Sequence, residues 1–262
     1  VRATIKQQLA RLERGDPAPG LTALVYHRVG GGSTDERDVS TADFEAQMRA
    51  LRSYSVQPLD QAVVKLRAGD ASPSVVLTFD DGFLDVHTNA WPVLRDAGLP
   101  FTIYVATGYV GGTMHWEGST AKDTGAPALT WDQLGQMVDS GLCTLGNHTH
   151  NHVRPEMLDD AQLERCSAEM QQRLGVRPEH FAYTWGVPVP RMETTLRGHF
   201  TSAATGEIGR SLPGQDLMRL KRIPVRGSDP LPFFEAKLRG RLLPERSYSS
   251  LVAFAKRAGV SA

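Results

Sequence analysis

A parallel α/β sheet closed into a barrel, or nearly so, is the architecture that this 262-residue sequence predicts. Apolar runs short enough to be buried strands recur at 21–26, 75–79, 101–106, 143–147, 180–183, 200–204 and 220–225. Stretches with helical spacing of apolar residues lie between them, and strands alternating with helices favour parallel pairing. Polar residues able to do chemistry sit where several of these strands end, which is where (β/α) barrels gather theirs. With 40% apolar residues the chain can bury a full core, and one domain suffices.

Taken in order, Ile5, Leu9 and Leu12 stand at helical spacing among Lys and Arg, so a short helix over 1–14 should precede the barrel and pack on it. Asp16-Pro17-Ala18-Pro19-Gly20 breaks it, and the first strand runs straight into His27. Gly30-Gly31-Gly32-Ser33 is too irregular for a phosphate-binding fingerprint and reads as a mobile rim. A helix over 42–53 follows, with Thr41 as N-cap and Phe44, Met48 and Leu51 on one face. A short strand at 55–57 and a helix over 60–68 lead to the central strand. Past Gly82, a helix over 86–97 should turn Val93 and Leu94 inward, with Pro92 disturbing its first half and His87 on its surface.

The stretch 107–128 is rich in glycine and poor in periodic apolar residues, the mark of a lid or binding rim. Thr130-Trp131-Asp132-Gln133 is a capping box opening a helix that Gly141 ends. Leu163, Cys166, Met170 and Leu174 form the core stripe of a helix over 157–174. Beyond Pro230, Phe233, Phe234 and Leu238, then Leu251, Val252 and Phe254, suggest helices covering the outside of the barrel. The expected organisation is a helix and linker over 1–20, a barrel over 21–228 and packing helices over 229–262. Cys143 and Cys166 read as buried thiols rather than a disulfide.

Two strand ends carry chemistry. Val75 to Phe79 is followed by Asp80-Asp81-Gly82, two adjacent carboxylates before a residue that lets the backbone turn away. Neighbours on a strand point opposite ways, so both can serve one site only if the chain bends there; one could then hold a cation and the other accept a proton. The plain alternative is a strand followed by an Asp-Gly turn. Downstream, Gly146-Asn147-His148-Thr149-His150-Asn151-His152 offers three imidazoles in five residues. A carboxylate with two neutral imidazoles is a ligand set that leaves a coordination position open for water. His148 and His152 can share a site only if the backbone curls, whereas His148 with His150, or His150 with His152, would share a side of an extended strand. On position alone His27 is a hydrogen-bonded core residue before it is anything else.

Thr78-Phe79-Asp80-Asp81-Gly82 and His148-Thr149-x-x-His152 resemble the first two signatures of the polysaccharide deacetylases, carbohydrate esterase family four with its NodB-homology domain. The resemblance extends over roughly residues 21–226 and is nearest the permuted branch that contains poly-N-acetylglucosamine deacetylases. It implies a distorted (β/α)7-8 barrel in a single domain, and a hydrolase that removes N-acetyl groups from an N-acetylated sugar. It implies one divalent ion, Zn first with Co, Ni or Fe as alternatives, held by Asp81, His148 and His152 so as to activate water. Asp80 is then the base and His27, in Val25-Tyr26-His27-Arg28-Val29, the protonated acid that serves the departing amine. Trp185 matches the residue whose backbone N–H meets the oxyanion, and Tyr183 beside it becomes a substrate or oxyanion candidate. Arg222 either orients Asp80 or is a solvated arginine at a strand end. Trp116 either stacks on a sugar ring or buries itself against the barrel. Where the permuted branch has Phe-Ala-Tyr-Pro-Tyr-Gly, this chain has Phe181-Ala182-Tyr183-Thr184-Trp185-Gly186, which puts the fit to substrate beside the ion in question.

Lys+Arg and Asp+Glu are both 29, so no charge excess points to nucleic acid or an acidic membrane as a partner, and a carbohydrate suits the balance. No apolar run approaches the roughly 20 residues of a membrane span. The start of the chain is not signal-like, so a cytoplasmic protein is expected, or a secreted one if the sequence is trimmed. The same machinery would also serve another amide or an O-acetyl ester, and a carbohydrate-binding protein with little turnover is a rival of a different class.

Overall fold

Residues 2–13, 15–121, 125–239 and 242–257 are described in a computed structural model of the chain. Val1, Arg14, residues 122–124 of the expected rim and the side chain of Phe254 lie outside the described residues. Helix α1 (Arg2–Leu9) leads to strand β1 (Leu21–Tyr26), the two-residue pair β2 (Arg28–Val29) and β3 (Asp38–Val39), and helices α2 (Thr41–Ala50) and α3 (Leu59–Arg67). Strand β4 (Ser74–Asp81), helix α4 (Trp91–Ala97), β5 (Phe101–Val105), α5 (Trp131–Asp139), β6 (Cys143–Asn147), α6 (Asp160–Leu174) and β7 (His180–Ala182) follow. Helix α7 (Glu193–His199), strands β8 (Ser202–Ile208) and β9 (Leu220–Pro224), and helices α8 (Leu231–Leu238) and α9 (Leu243–Arg257) complete the order.

The strands close in the order β1-β4-β5-β6-β7-β8-β9, with β9 pairing back onto β1 and every pairing parallel. This is the (β/α) barrel of seven strands expected from the alternation. On β4 the period of two sorts the side chains. Leu77 and Phe79 face the helices with Phe101, Ile103 and Leu145, while Val76 joins Tyr104, Ala182 and Ala204. Helix α3 adds Leu59, Ala62, Val63 and Leu66 to that second group. Its Asp60 accepts from His180 Nε2 at 2.7 Å and from Thr144 Oγ1 at 3.3 Å, both near strand starts. So α3 plugs the amino-terminal mouth, and the opposite mouth is left for a site.

Local differences from the sequence reading have identifiable causes. Ser40, not Thr41, caps α2, its hydroxyl accepting from Asp43 N. Pro92 is accommodated in the first turn of α4, preceded by a π-helical turn over Val86–Ala90. That turn rotates Val86, Ala90, Trp91 and Leu94 inward and leaves Val93 half-buried. Met157 lies in a separate turn and is exposed, because Asp159 caps α6 two residues later. The expected strand at 55–57 is a single bridge from Val56 to Val75. The Gly30–Gly32 turn is tied down rather than loose: Gly31 N and Ser33 N both donate to the Asp38 carboxylate. Both cysteines are free and buried, and burial pushes the Cys166 thiol up to about 12.

Helix α1 packs on α8 and α9 through Leu9 but not through the rest of its apolar pattern. Ile5 and Leu12 are 39% and 56% exposed, whereas Lys6 is fully buried. Its ammonium donates to Asp229 Oδ1 at 2.7 Å, and Asp229 Oδ2 also pairs with Lys237 of α8 at 2.5 Å. Buried charges persist when paired and hydrogen-bonded, and here the pairing overrides the hydrophobic stripe. No helix among the described residues is long and apolar enough to cross a membrane.

Candidate active site

Parallel register brings the chemistry together. Tyr26 is level with Phe79, so the residues that follow, His27 and Asp80, leave neighbouring strands side by side. Asp81 is level with Val105, and Val105 with Asn147, so His148 leaves β6 two strands from Asp81. Asp80 and Asp81 are both buried. Asp81 adopts φ +77 and Gly82 φ +96, and this left-handed step supplies the bend that lets both carboxylates face one cleft.

Asp80 meets Arg222 in a two-pronged ion pair, Nη1 to Oδ1 at 2.6 Å and Nη2 to Oδ2 at 2.8 Å. Arg222 Nε donates to the Thr205 carbonyl at 3.0 Å, which fixes the guanidinium plane. Arg222 is therefore buried in the barrel, not solvated at a strand end. Burial alone would raise the Asp80 carboxyl, but Arg222 outweighs it and holds Asp80 below its ordinary value.

The histidine segment is shaped by Asn147, whose amide donates to the Leu163 carbonyl and Ser167 hydroxyl and whose oxygen accepts from Thr149 N. Thr149 at φ +65 and His152 at φ +47 then curl the chain, by left-handed residues rather than a helical turn. His148 Nδ1 lies 2.9 Å from the Ala182 carbonyl, which requires the proton on that nitrogen and leaves the Nε2 lone pair directed at Asp81. His148 Nε2 and His152 Nε2 are 3.4 Å and 3.3 Å from Asp81 Oδ1. His150 turns away to Thr107 Oγ1 at 3.0 Å and Glu169, so the pairings that used it are not those the fold makes.

One donor atom from each of Asp81, His148 and His152 lies within 4.8 Å of the others. Two donors each about 2.0–2.1 Å from a tetrahedral zinc ion would stand roughly 3.3–3.4 Å apart, the separation of Asp81 Oδ1 from both nitrogens. The donor set fits a divalent ion. Burial would raise Asp81, but the two imidazoles of His148 and His152 facing it together outweigh burial and hold it well below the usual carboxylate range. Burial holds His152 below its ordinary value, which favours the neutral, ligating form. At His148 the Asp81 and Asp80 charges outweigh burial and raise it.

The cleft above these groups has a volume of about 270 Å³ and is lined by His27, Asp80, Asp81, His148, His152, Trp185 and Arg222, with Arg37, Trp116, Gly118 and Gly206 around the rim. Burial keeps His27 below its ordinary value despite Asp81 and Asp80, which favours the neutral imidazole at rest. Trp116 is buried and stacks on His152 at 4.4 Å, with ring planes 25° apart. Trp185, at φ +54 and 41% exposed, packs on the same imidazole at 4.6 Å.

Tyr183 is not brought to the cleft. The residue next to it faces in, so by strand alternation its ring goes out, where it packs on Phe181 with Val189 and Met192. Its place as a substrate or oxyanion residue is corrected accordingly. The sequence reading also passed over Arg37 and Arg154, which meet the 107–128 segment across the rim. Neither lies in a motif, and only the packing of loops from different strands brings them there.

A family model for polysaccharide deacetylase matches residues 68–197. A protein named putative polysaccharide deacetylase YxkH, from Bacillus subtilis, is 27% identical over 214 residues, covering 78% of this chain and 71% of that one. The poly-beta-1,6-N-acetyl-D-glucosamine N-deacetylase of Escherichia coli is 30% identical over 144 residues; the match covers 52% of this chain but only 21% of that longer protein. The structure of IcaB from Ammonifex degensii superposes with a TM-score of 0.69 at 29% identity, over 80% of this chain and 93% of that one. The matched span includes both the Asp80-Asp81 strand end and the histidine segment, and the same barrel recurs in IcaB, so the chain belongs to the polysaccharide deacetylase family of hydrolases.

Proposed function

We propose that this protein removes N-acetyl groups from an N-acetylated saccharide in a reaction that depends on one divalent metal ion, zinc before cobalt, nickel or iron. The observation that carries the reading is the convergence of Asp81, His148 and His152 beside an ion-paired Asp80 in one cleft. When bound there, a divalent ion supplies Lewis-acid polarisation of the acetyl oxygen and lowers the pKa of water.

The chain's own residues divide the remaining work. Arg222 keeps Asp80 ionised and fixes its plane, so Asp80 is the group placed to take a proton from the attacking water. Trp185 stands over His152 on the loop after β7, where its backbone N–H would meet the oxygen on which negative charge develops. His27, level with Asp80 across β1 and β4, would hand a proton to the departing nitrogen. As the neutral imidazole is favoured at rest, that proton is acquired during the cycle, and the one removed from water balances it. The products are a free amine and acetate.

Acetate release from N-acetylglucosamine oligosaccharides is the direct assay. Activity should disappear with a chelator and return with zinc, cobalt or nickel; tight saccharide binding with no acetate under any metal would refute hydrolysis. His152→Ala should lose metal outright. Removing a group that merely supports a ligand costs about 10–100-fold in metal affinity, so loss of the ligand itself should exceed that. Elemental analysis showing an unchanged metal content would take His152 out of the ligand set.

A further inference from the structure

We infer that the cleft takes the end of a saccharide chain, or a short saccharide, and excludes internal residues of a long polymer. This rests on the N-acetyl hydrolase reading and adds the form of the substrate. A site that processes a polymer along its length needs a groove open at two opposite ends. Here successive loops are joined to one another all the way round the mouth.

The β1 loop is tied to the chain after β9 by Gly227 N donating to the Glu36 carbonyl at 2.7 Å. It is tied to the 107–128 segment by Arg37, whose Nη1 and Nη2 both donate to the Gly118 carbonyl at 3.1 Å. Asp35 holds that guanidinium at the hinge of its own loop, accepting from Nε at 3.0 Å and from Nη2 at 2.8 Å. The 107–128 segment is joined to the histidine loop by Arg154 and Glu117 at 2.5 Å. The histidine loop meets the β7 loop where Thr184 Oγ1 donates to the Val153 carbonyl at 2.7 Å. The β7 loop closes on β8 through Gly186 and Gly206, packed so tightly that a Cβ on Gly186 would stand 2.6 Å from the Gly206 Cα. Strands β8 and β9 then pair directly.

Two further observations make this ring a wall rather than a set of crossing loops. Trp116, next to Glu117, is buried against Phe83, Met114 and Ala128, so the tied segment is anchored from below. The cleft volume of about 270 Å³ lies just under the roughly 300–1,000 Å³ of pockets that hold drug-sized ligands, which suits one sugar ring with its acetamido arm better than a run of rings. Arg37 is the joint most open to change, because one side chain alone spans two loops. It is a positioning residue and takes no part in the chemistry.

The test uses N-acetylglucosamine oligomers from the disaccharide to the hexasaccharide, with deacetylated positions mapped by mass spectrometry. Product carrying its free amine only on a terminal residue, and kcat/KM per chain independent of length, is expected. Internal free amines in the wild-type product, or kcat/KM per chain rising in proportion to length, about threefold across the series, would overturn the inference while leaving the hydrolase reading intact. Acetate from none of the oligomers would overturn both. Arg37→Ala should open one joint, so internal products should appear and the long-to-short ratio of kcat/KM should rise, with Arg37→Lys falling between. General destabilisation would lower all lengths together and leave the ratio unchanged, and that result in a folded Arg37→Ala protein would also count against the inference.

Discussion

Asp80→Asn should retain the metal and lose turnover by about 10²–10⁴-fold, the usual contribution of a positioned general base. Asparagine keeps the size of the side chain but cannot accept the proton. Asp81, His148 and His152 are untouched, so their convergence within 4.8 Å should persist. The substitution also puts an amide against one prong of the Arg222 fork, so a modest fall in stability should accompany it. Elemental analysis and acetate release on the same preparation separate the two effects. Metal-loaded Asp80→Asn with activity within a few-fold of wild type would place the proton acceptor elsewhere.

The largest effect on stability is expected far from the cleft, at Asp229. Its carboxylate is buried and bonded to Lys6 of α1 and Lys237 of α8, and Oδ2 also accepts from Arg226 N at 2.9 Å. Asp229→Ala removes the carboxylate that two buried ammonium groups share, leaving Lys237 only Glu245 and Lys6 only Glu36 as charge partners, and breaking such a buried pair costs about 3–5 kcal/mol. At about 2–4 °C per kcal/mol for a domain of this size, Tm should fall by roughly 6–20 °C. Burial would raise the Asp229 carboxyl, but Lys237 and Lys6 outweigh it and hold it below its ordinary value. A carboxylate depressed in the fold stabilises above its unfolded pKa, and that contribution fades as pH falls through the folded value. The gap between wild type and mutant should therefore narrow in melts run below about pH 4. A Tm within about 2 °C of wild type at neutral pH would mean that the charge cluster does not hold the helices on.

Much of the fold was legible because strand and helix periods write themselves into apolar spacing: the β6 boundaries and the Thr130 capping box could be read directly. The motif residues were legible because carboxylates and imidazoles at strand ends have few other uses. What could not be read was anything set by the sign of a dihedral angle or by ring closure. Nothing in an aspartate announces φ +77, and whether His148 pairs with His150 or His152 depends on Thr149 and His152 going left-handed. The Asp80–Arg222 fork joins residues 142 apart and needs the barrel closed through β1. The burial of Lys6 in α1 was not legible because a lysine inside an apolar pattern is ordinarily on the solvent side; its partner lies 223 residues away. The rim arginines were missed for the same reason, since only spatial neighbours give Arg37 a purpose.

Four residues at the cleft, Asp81, Thr149, His152 and Trp185, hold a backbone conformation that suits glycine and costs other residues about 1–3 kcal/mol each. The surrounding barrel carries that burden, with each fully buried Leu or Phe supplying about 1.5–3 kcal/mol. At these positions heat resistance and chemistry select in opposite directions. A variant library ranked by survival at high temperature alone would drift toward relaxed, inert cleft backbones, so any programme to toughen this protein has to score turnover at every round.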